Sequence, residues 1–190
     1  MFLENIARVE IGVVLKRKEA MYKSENTTTY KIFNIKNYEE NIPFEEFYSL
    51  DNLESFVAEK GDLLFRLFYP IRVIEVDDKI AGTLVNNQYC LIKTSKIKET
   101  YKKDFVKWYL DSENSMRQFD KMLVGTTAKS VPVSKLRKLE LPLISEEKQE
   151  KLSKIIKLWK KQKKQYENLV KEKEKYYNDI INNEIKKEKY

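Results

Sequence analysis

The chain has 190 residues, 42% apolar and 35% charged, with 37 Lys and Arg against 30 Asp and Glu. It has no His and one Cys, Cys90. That excludes His–Cys zinc sites, Ser–His–Asp triads, Cys–His pairs and any internal disulfide. The length fits one domain, and the high charge points to an additional solvated element. No apolar run approaches the ~20 residues that span a bilayer. The start, Met-Phe-Leu-Glu-Asn-Ile, has no basic region before a long apolar core, so no signal peptide is expected. The expectation is a soluble cytoplasmic protein.

In chain order, Tyr30 to Ile35 carries strand-forming residues. Gly61-Asp62 is a turn signal leading into a strand over Leu63–Leu67. Pro70 to Val76 is apolar and β-branched, and Gln88 to Thr94 holds another short strand pattern. From Lys98 to Met122 the pattern turns helical. Tyr101, Phe105, Trp108 and Tyr109 recur at three- and four-residue spacing, an aromatic face that reads as core before it reads as a base-stacking platform. Gly125-Thr126-Thr127 reads as a loop.

All four Gly and all four Pro lie before residue 145. This break divides the chain into a mixed α and β part, 1–144, and a single long helix, 145–190. Ser145 is the expected N-cap, with Glu146 and Glu147 favoured by the helix dipole in the first turn. A seam runs through Leu152, Ile156, Trp159, Lys163, Tyr166, Val170, Lys173, Tyr177 and Ile180 in alternating steps of four and three. Ile155, Leu169 and Ile181 widen it. The helix is too long to pack fully on the body, so its distal stripe calls for a second helix, most simply from another copy. The excess charge is concentrated as well. Residues 129–164 carry 12 Lys and Arg and four acids, a net of +8, leaving −1 for the rest. That window reads either as a solvated helix face or as a strip facing phosphates.

Signals for chemistry are sparse. There is no Gly-x-Gly cofactor loop, no Pro-Pro catalytic motif for adenine methylation and no P-loop. Asp62 with Asp77-Asp78-Lys79 is the one nuclease-like pattern, in which carboxylates hold a metal and a Lys polarises water. The same Asp77–Gly82 stretch reads as an ordinary solvent turn. Cys90 lies in an apolar strand and reads as a buried structural thiol.

The order of features resembles the specificity subunit of type I restriction–modification systems. Gly61-Asp62-Leu63-Leu64 is similar to that family's Gly-Asp-hydrophobic strand entry. Phe105 to Ser112 (FVKWYLDS) resembles its YLxxYLxS helix. Gly125-Thr126-Thr127 with Val131 and Leu136 resembles its glycine loop. Leu139 to Gln149 (LELPLISEEKQ) resembles the junction before its spacer helix. Ala128 and Ile144 depart from the pattern, where Gln or Arg and a second proline are common. The full subunit carries the domain-plus-helix unit twice, and this chain carries it once.

The resemblance implies an α+β fold: a target-recognition domain over 1–144, and a spacer helix over 145–190 that forms an antiparallel coiled coil. It implies a non-catalytic chain that directs an adenine methyltransferase subunit to double-stranded DNA, with a restriction subunit as a further candidate partner. S-adenosylmethionine belongs to the methyltransferase; no cofactor or metal is expected on this chain. Two copies pairing through Leu152, Ile156, Trp159, Tyr166, Val170, Tyr177 and Ile180 imitate one complete subunit and read a two-part palindrome. Candidate DNA-facing residues, chosen by type in loops, are Lys16, Arg17, Lys18, Asn86, Asn87, Gln88, Thr126, Thr127, Lys129 and Ser130. Arg66 is a further candidate that could equally cap a strand edge. The competing readings are a coiled-coil adaptor without a DNA role and a metal-dependent nuclease.

Overall fold

A computed structural model describes residues 1–123 and 130–187. In chain order the elements are β1 (Arg8–Ile11), β2 (Thr28–Ile32), α1 (Ile35–Glu40), β3 (Glu46–Ser49), β4 (Leu63–Arg66), β5 (Val73–Glu75), β6 (Thr83–Leu84) and β7 (Tyr89–Lys93). Four helices follow: α2 (Lys103–Leu110), α3 (Glu113–Leu123), α4 (Val133–Arg137) and α5 (Glu146–Lys187). The fold is α+β, with two sheets and one long C-terminal helix.

The larger sheet has the order β1-β7-β4-β5 and is antiparallel throughout. The smaller has the order β3-β2-β6, with β2 and β6 parallel. Side chains alternate across a strand, and the core divides accordingly. Leu63, Phe65, Cys90 and Ile92 face one cluster with α2, α3 and α4. Leu64, Tyr89 and Leu91 face another with Phe33 and Ile80. Strands β4 and β7 are thus buried on both faces, which explains why they are apolar up to their last residues, Arg66 and Lys93.

The strand expectations map onto β2, β4, β5 and β7, with β5 shorter than the apolar run around it. The single helical pattern over Lys98–Met122 is in fact two helices. Ser112 separates them: its Oγ donates to Tyr109 O at 2.7 Å, and Met116 N donates to Ser112 O as α3 begins. A short hydroxyl side chain competes with the helical ladder and starts the next helix. The aromatic face is core at Tyr101, Phe105 and Tyr109. Trp108 departs from it and is 39% exposed, since it shares the outer row of α2 with Asp104 and Asp111.

Ser145 caps α5, accepting a hydrogen bond from Lys148 N at 3.3 Å. The helix has 42 residues, on the order of 63 Å. Its first turns belong to the body: Leu152 packs on the main cluster and Ile156 is buried. This corrects the helix-pairing role expected of those two residues. Their faces are covered by the chain's own core, so the exposed seam starts at Trp159. No helix among the described residues is long and apolar enough to cross a membrane.

Glu75 ties the sheet to α2 through Lys107 (2.8 Å) and Lys103 (3.1 Å). Burial opposes its charge, but the two ammonium groups outweigh burial and hold its carboxyl at about 2. The stabilisation is therefore complete above the ordinary value of 4.5 and is lost as pH falls towards about 2. Its side chain is 37% exposed. Screening at that exposure limits the contribution to about 1 kcal/mol. Glu75→Gln should lower stability by about this amount at neutral pH in urea titrations. The gap from the unsubstituted chain should close through that acid window, and a gap independent of pH would refute the assignment.

Candidate nucleic-acid interface

The candidate residues gather at one end of the larger sheet. Strands β1 and β4 finish there, and β7 and β5 begin there, because Ile11 pairs with Cys90, Arg66 with Tyr89 and Phe65 with Val73. Just beyond β1, Gly12 presses against the loop before β7. A Cβ at Gly12 would lie 2.2 Å from Asn86 O, closer than any side chain permits. The contact is fastened by Val13 N to Val85 O (2.9 Å) and Asn87 N to Val13 O (3.0 Å).

Lys16 and Arg17 follow in a short 3-10 turn, Leu15–Arg17, and both are exposed. Lys18 is exposed too, but its ammonium lies 3.0 Å from the Asp51 carboxylate. In the adjoining loop Asn86 is half-buried, and its Oδ1 accepts from Gln88 N at 2.9 Å. That Asx turn presents Asn87 and Gln88 to solvent. On the other side, Leu67 N donates to Gln88 O, and Val131 N donates to Leu67 O. Ser130 bridges to Phe68, and Arg66 is half-buried at the end of β4. The structure therefore brings together Lys16, Arg17, Asn87, Gln88, Arg66 and Ser130 from four separate segments. It assigns Asn86 a turn-forming role and Lys18 an ion pair. Thr126, Thr127 and Lys129 lie outside the described residues.

The same end exposes apolar side chains that the sequence reading passed over. Ile11, Val14, Phe68 and Tyr69 are each 40–46% exposed. The one available signal was the aromatic pair directly after a strand and before Pro70. Tyr69 donates to the Asp120 carboxylate at 3.1 Å. Burial first, and that hydrogen bond second, raise its phenol pKa above the ordinary value, so it stays a neutral donor.

The carboxylates of the nuclease pattern have structural duties. Asp62 accepts from Glu59 N and Thr94 N, each at 3.1 Å, and pairs with Lys93 at 3.1 Å. Asp77 accepts from Lys79 N, Ile80 N and the Tyr38 hydroxyl. Asp78 pairs with Lys60 at 2.6 Å. Among the described residues no group of three or more His, Cys, Asp or Glu is placed to hold a metal ion. Cys90 is buried, and burial pushes its thiol up to about 12, which keeps it protonated and unreactive.

The helix that carries the distal stripe also leaves towards this end. Its start is tied to Thr100 and Lys102, before α2. Further along, Lys157 lies 3.1 Å from Asp104. Lys163 then lines a crevice of about 1070 Å³ together with Asp111, Pro70, Arg72 and Val73. Helix α5 thus follows α2 in the same direction, past the start of β5. From residue 164 it runs on for roughly 36 Å. Along that length Tyr166, Leu169, Val170, Tyr177, Ile180 and Ile181 are each at least 40% exposed.

No family model matches the sequence, and no curated protein matches it. Solved structures do match by fold. The HsdS subunit from Thermoanaerobacter tengcongensis superposes with a TM-score of 0.60 at 15% identity, over 89% of this chain and 43% of that one. A chain from a type I R-M system, solved to explain complex assembly and conformational transition, gives 0.55 at 12% identity, over 85% and 38%. The chain has the fold of these structures and spans about two fifths of their length.

A DNA-binding assay separates the two sides of the cluster if this end is a nucleic-acid interface. Arg17→Ala should weaken binding to all sequences alike and reduce the salt slope by about 1. Asn87→Ala or Gln88→Ala should instead relax preference at one base position by about 1–3 kcal/mol. Equal, sequence-independent losses at all three would show that this end touches only phosphates.

Proposed function

We propose that this chain is the DNA-recognition half of a type I restriction–modification complex. The observation that carries the reading is the pairing of two features on one fold. A cluster of exposed Lys, Arg, Asn and Gln sits at one sheet end, and a helix with an uncovered apolar stripe leaves towards it. Lys and Arg suit phosphate and guanine, and Asn and Gln suit adenine. The chain itself does no chemistry. It directs an adenine methyltransferase subunit, which carries S-adenosylmethionine and acts on a base taken out of the stack. A restriction subunit is a further candidate partner.

The second half of the target is read by a second copy. Exposed aromatic and aliphatic side chains from Trp159 to Ile181 form a seam that water does not favour. Charge favours an antiparallel pairing of the helices. Residues 157–164 hold five Lys and no acid, whereas 177–184 hold Asp179 and Glu184 and no base. A two-fold axis near Val170 sets these stretches against each other. Parallel pairing sets lysines against lysines. A symmetric dimer reads a palindrome in two parts, with the DNA between them touched without sequence preference.

The test is the adenine methylation pattern of DNA from cells carrying the methyltransferase, with and without this chain. A symmetric two-part motif that depends on the chain is the expected result. An asymmetric motif would replace the second copy by a different half. Unchanged methylation, with the methyltransferase present and folded, would favour a coiled-coil adaptor instead. In parallel, Val170→Asp with Tyr177→Asp should convert the dimer to a monomer by light scattering, because unpaired charge would be buried. The thermal unfolding of the body should not change, since both residues lie beyond it.

A further inference from the structure

Gln149 is a polar residue with almost no exposure, 1%, in the first turn of a helix otherwise lined with Lys and Glu. All of its amide is used. Oε1 accepts from Lys102 N at 2.9 Å, and Nε2 donates to Thr100 O at 2.7 Å and to Ile144 O at 3.0 Å. The side chain therefore grips the segment that leads into α2 and the segment that leads into α5. Three ion pairs flank it. Lys102 pairs with Glu146 at 2.7 Å, and Asp104 faces Lys157 at 3.1 Å and Lys160 at 3.8 Å. Leu152 and Ile156 supply burial but little direction, because apolar contacts are not directional. The three hydrogen bonds are directional.

We propose that Gln149 is the positioning residue that fixes the angle at which the spacer helix leaves the recognition body, and thereby the distance between the two half-sites. The proposal rests on the reading of the chain as half of a recognition subunit. Leverage makes the angle matter. From Gln149 to Val170, where the two-fold axis is placed, the helix rises roughly 32 Å. A swing of about 7° at its base moves the recognition end by about 4 Å, close to one base-pair step of ~3.4 Å. Each added base pair also rotates the half-site by about 34°. A loosened joint therefore admits neighbouring spacings that a fixed joint rejects.

The experiment uses the complete complex with the methyltransferase. Its substrates are DNAs with identical half-sites and spacers stepped by one base pair. The unsubstituted chain should favour one spacer by about 10-fold over its neighbours, the penalty being the twist and stretch of DNA. Gln149→Met keeps the volume and removes the three bonds. It should flatten that preference to about 3-fold or less, or move it by one step, while base preference within each half-site stays the same. Gln149→Glu keeps the bond to Lys102 N and serves if the Met variant fails to fold. Asp104→Asn, at the surface, should shift the profile in the same sense by a smaller factor. A purely structural role would lower methylation equally at every spacer and leave the profile unchanged, which would overturn the proposal. If the unsubstituted chain shows no spacer preference at all, the half-subunit reading itself fails, and this one with it.

Discussion

Everything at the sheet end that bears the polar cluster depends on the approach of Gly12 to Asn86. At that point the chain leaves β1 of the larger sheet and enters the cluster of the smaller one, where Val13 packs with Tyr30, Phe47 and Leu84. Two sheets with separate cores are joined by backbone hydrogen bonds that only a residue without Cβ allows. The same bonds set the loop before β7 beside the turn that bears Lys16 and Arg17. One steric requirement thus closes the fold and assembles the polar cluster. Most of those side chains sit on turns just beyond the strands, and backbone hydrogen bonds fasten these turns to the sheet end.

The long helix shows how one apolar stripe serves two purposes. Leu152, Ile156, Trp159, Val170 and Tyr177 fall on a common face, yet the first two are covered and the last three are not. The body covers the stripe for about three turns and then ends, while the periodicity continues. A helix stabilised only by its own body has no reason to keep that pattern over its distal half. Its isolated turns gain little from propensity alone. The uncovered part is an apolar face that water does not favour, and the covered part fixes where it begins.

Sequence was most informative where local chemistry and tertiary demand agree. Gly61-Asp62 before an apolar run placed β4, the apolar run over Gln88–Thr94 placed β7, and Ser145 marked the start of α5. It was least informative where long-range pairing decides. Strands β1, β3 and β6 have only two to four residues, too few for a pattern such as the alternation of Arg8–Ile11 to stand out, so their neighbours make them strands. The division of one helical pattern at Ser112 turns on a single hydroxyl. Heptad spacing does not distinguish a face that meets the chain's own core from one that meets another helix, which is why Leu152 and Ile156 were read with the rest of the seam. The candidate site was legible as residue types but not as a place. Gly12 and Phe68 belong to it by geometry; Gly12 carries no mark in the sequence, and Phe68 only that of an aromatic pair before Pro70.

Much of the positive charge in residues 129–164 is engaged within the chain itself. Several of its lysines already face carboxylates: Lys151 with Glu147, Lys154 with Glu150, Lys157 and Lys160 with Asp104, and Lys163 with Glu167. Each exposed pair is worth less than about 1 kcal/mol, so none prevents a phosphate contact outright. Together, however, they tie the basic face to the body and to the helix itself. Phosphate binding there would have to break several such pairs at once. Towards the far end of α5 the sign changes, with Asp179 and Glu184 and no base over residues 177–184. A parallel copy of such a helix would meet like charge along its length and an antiparallel copy opposite charge, which is the physical basis of the proposed orientation.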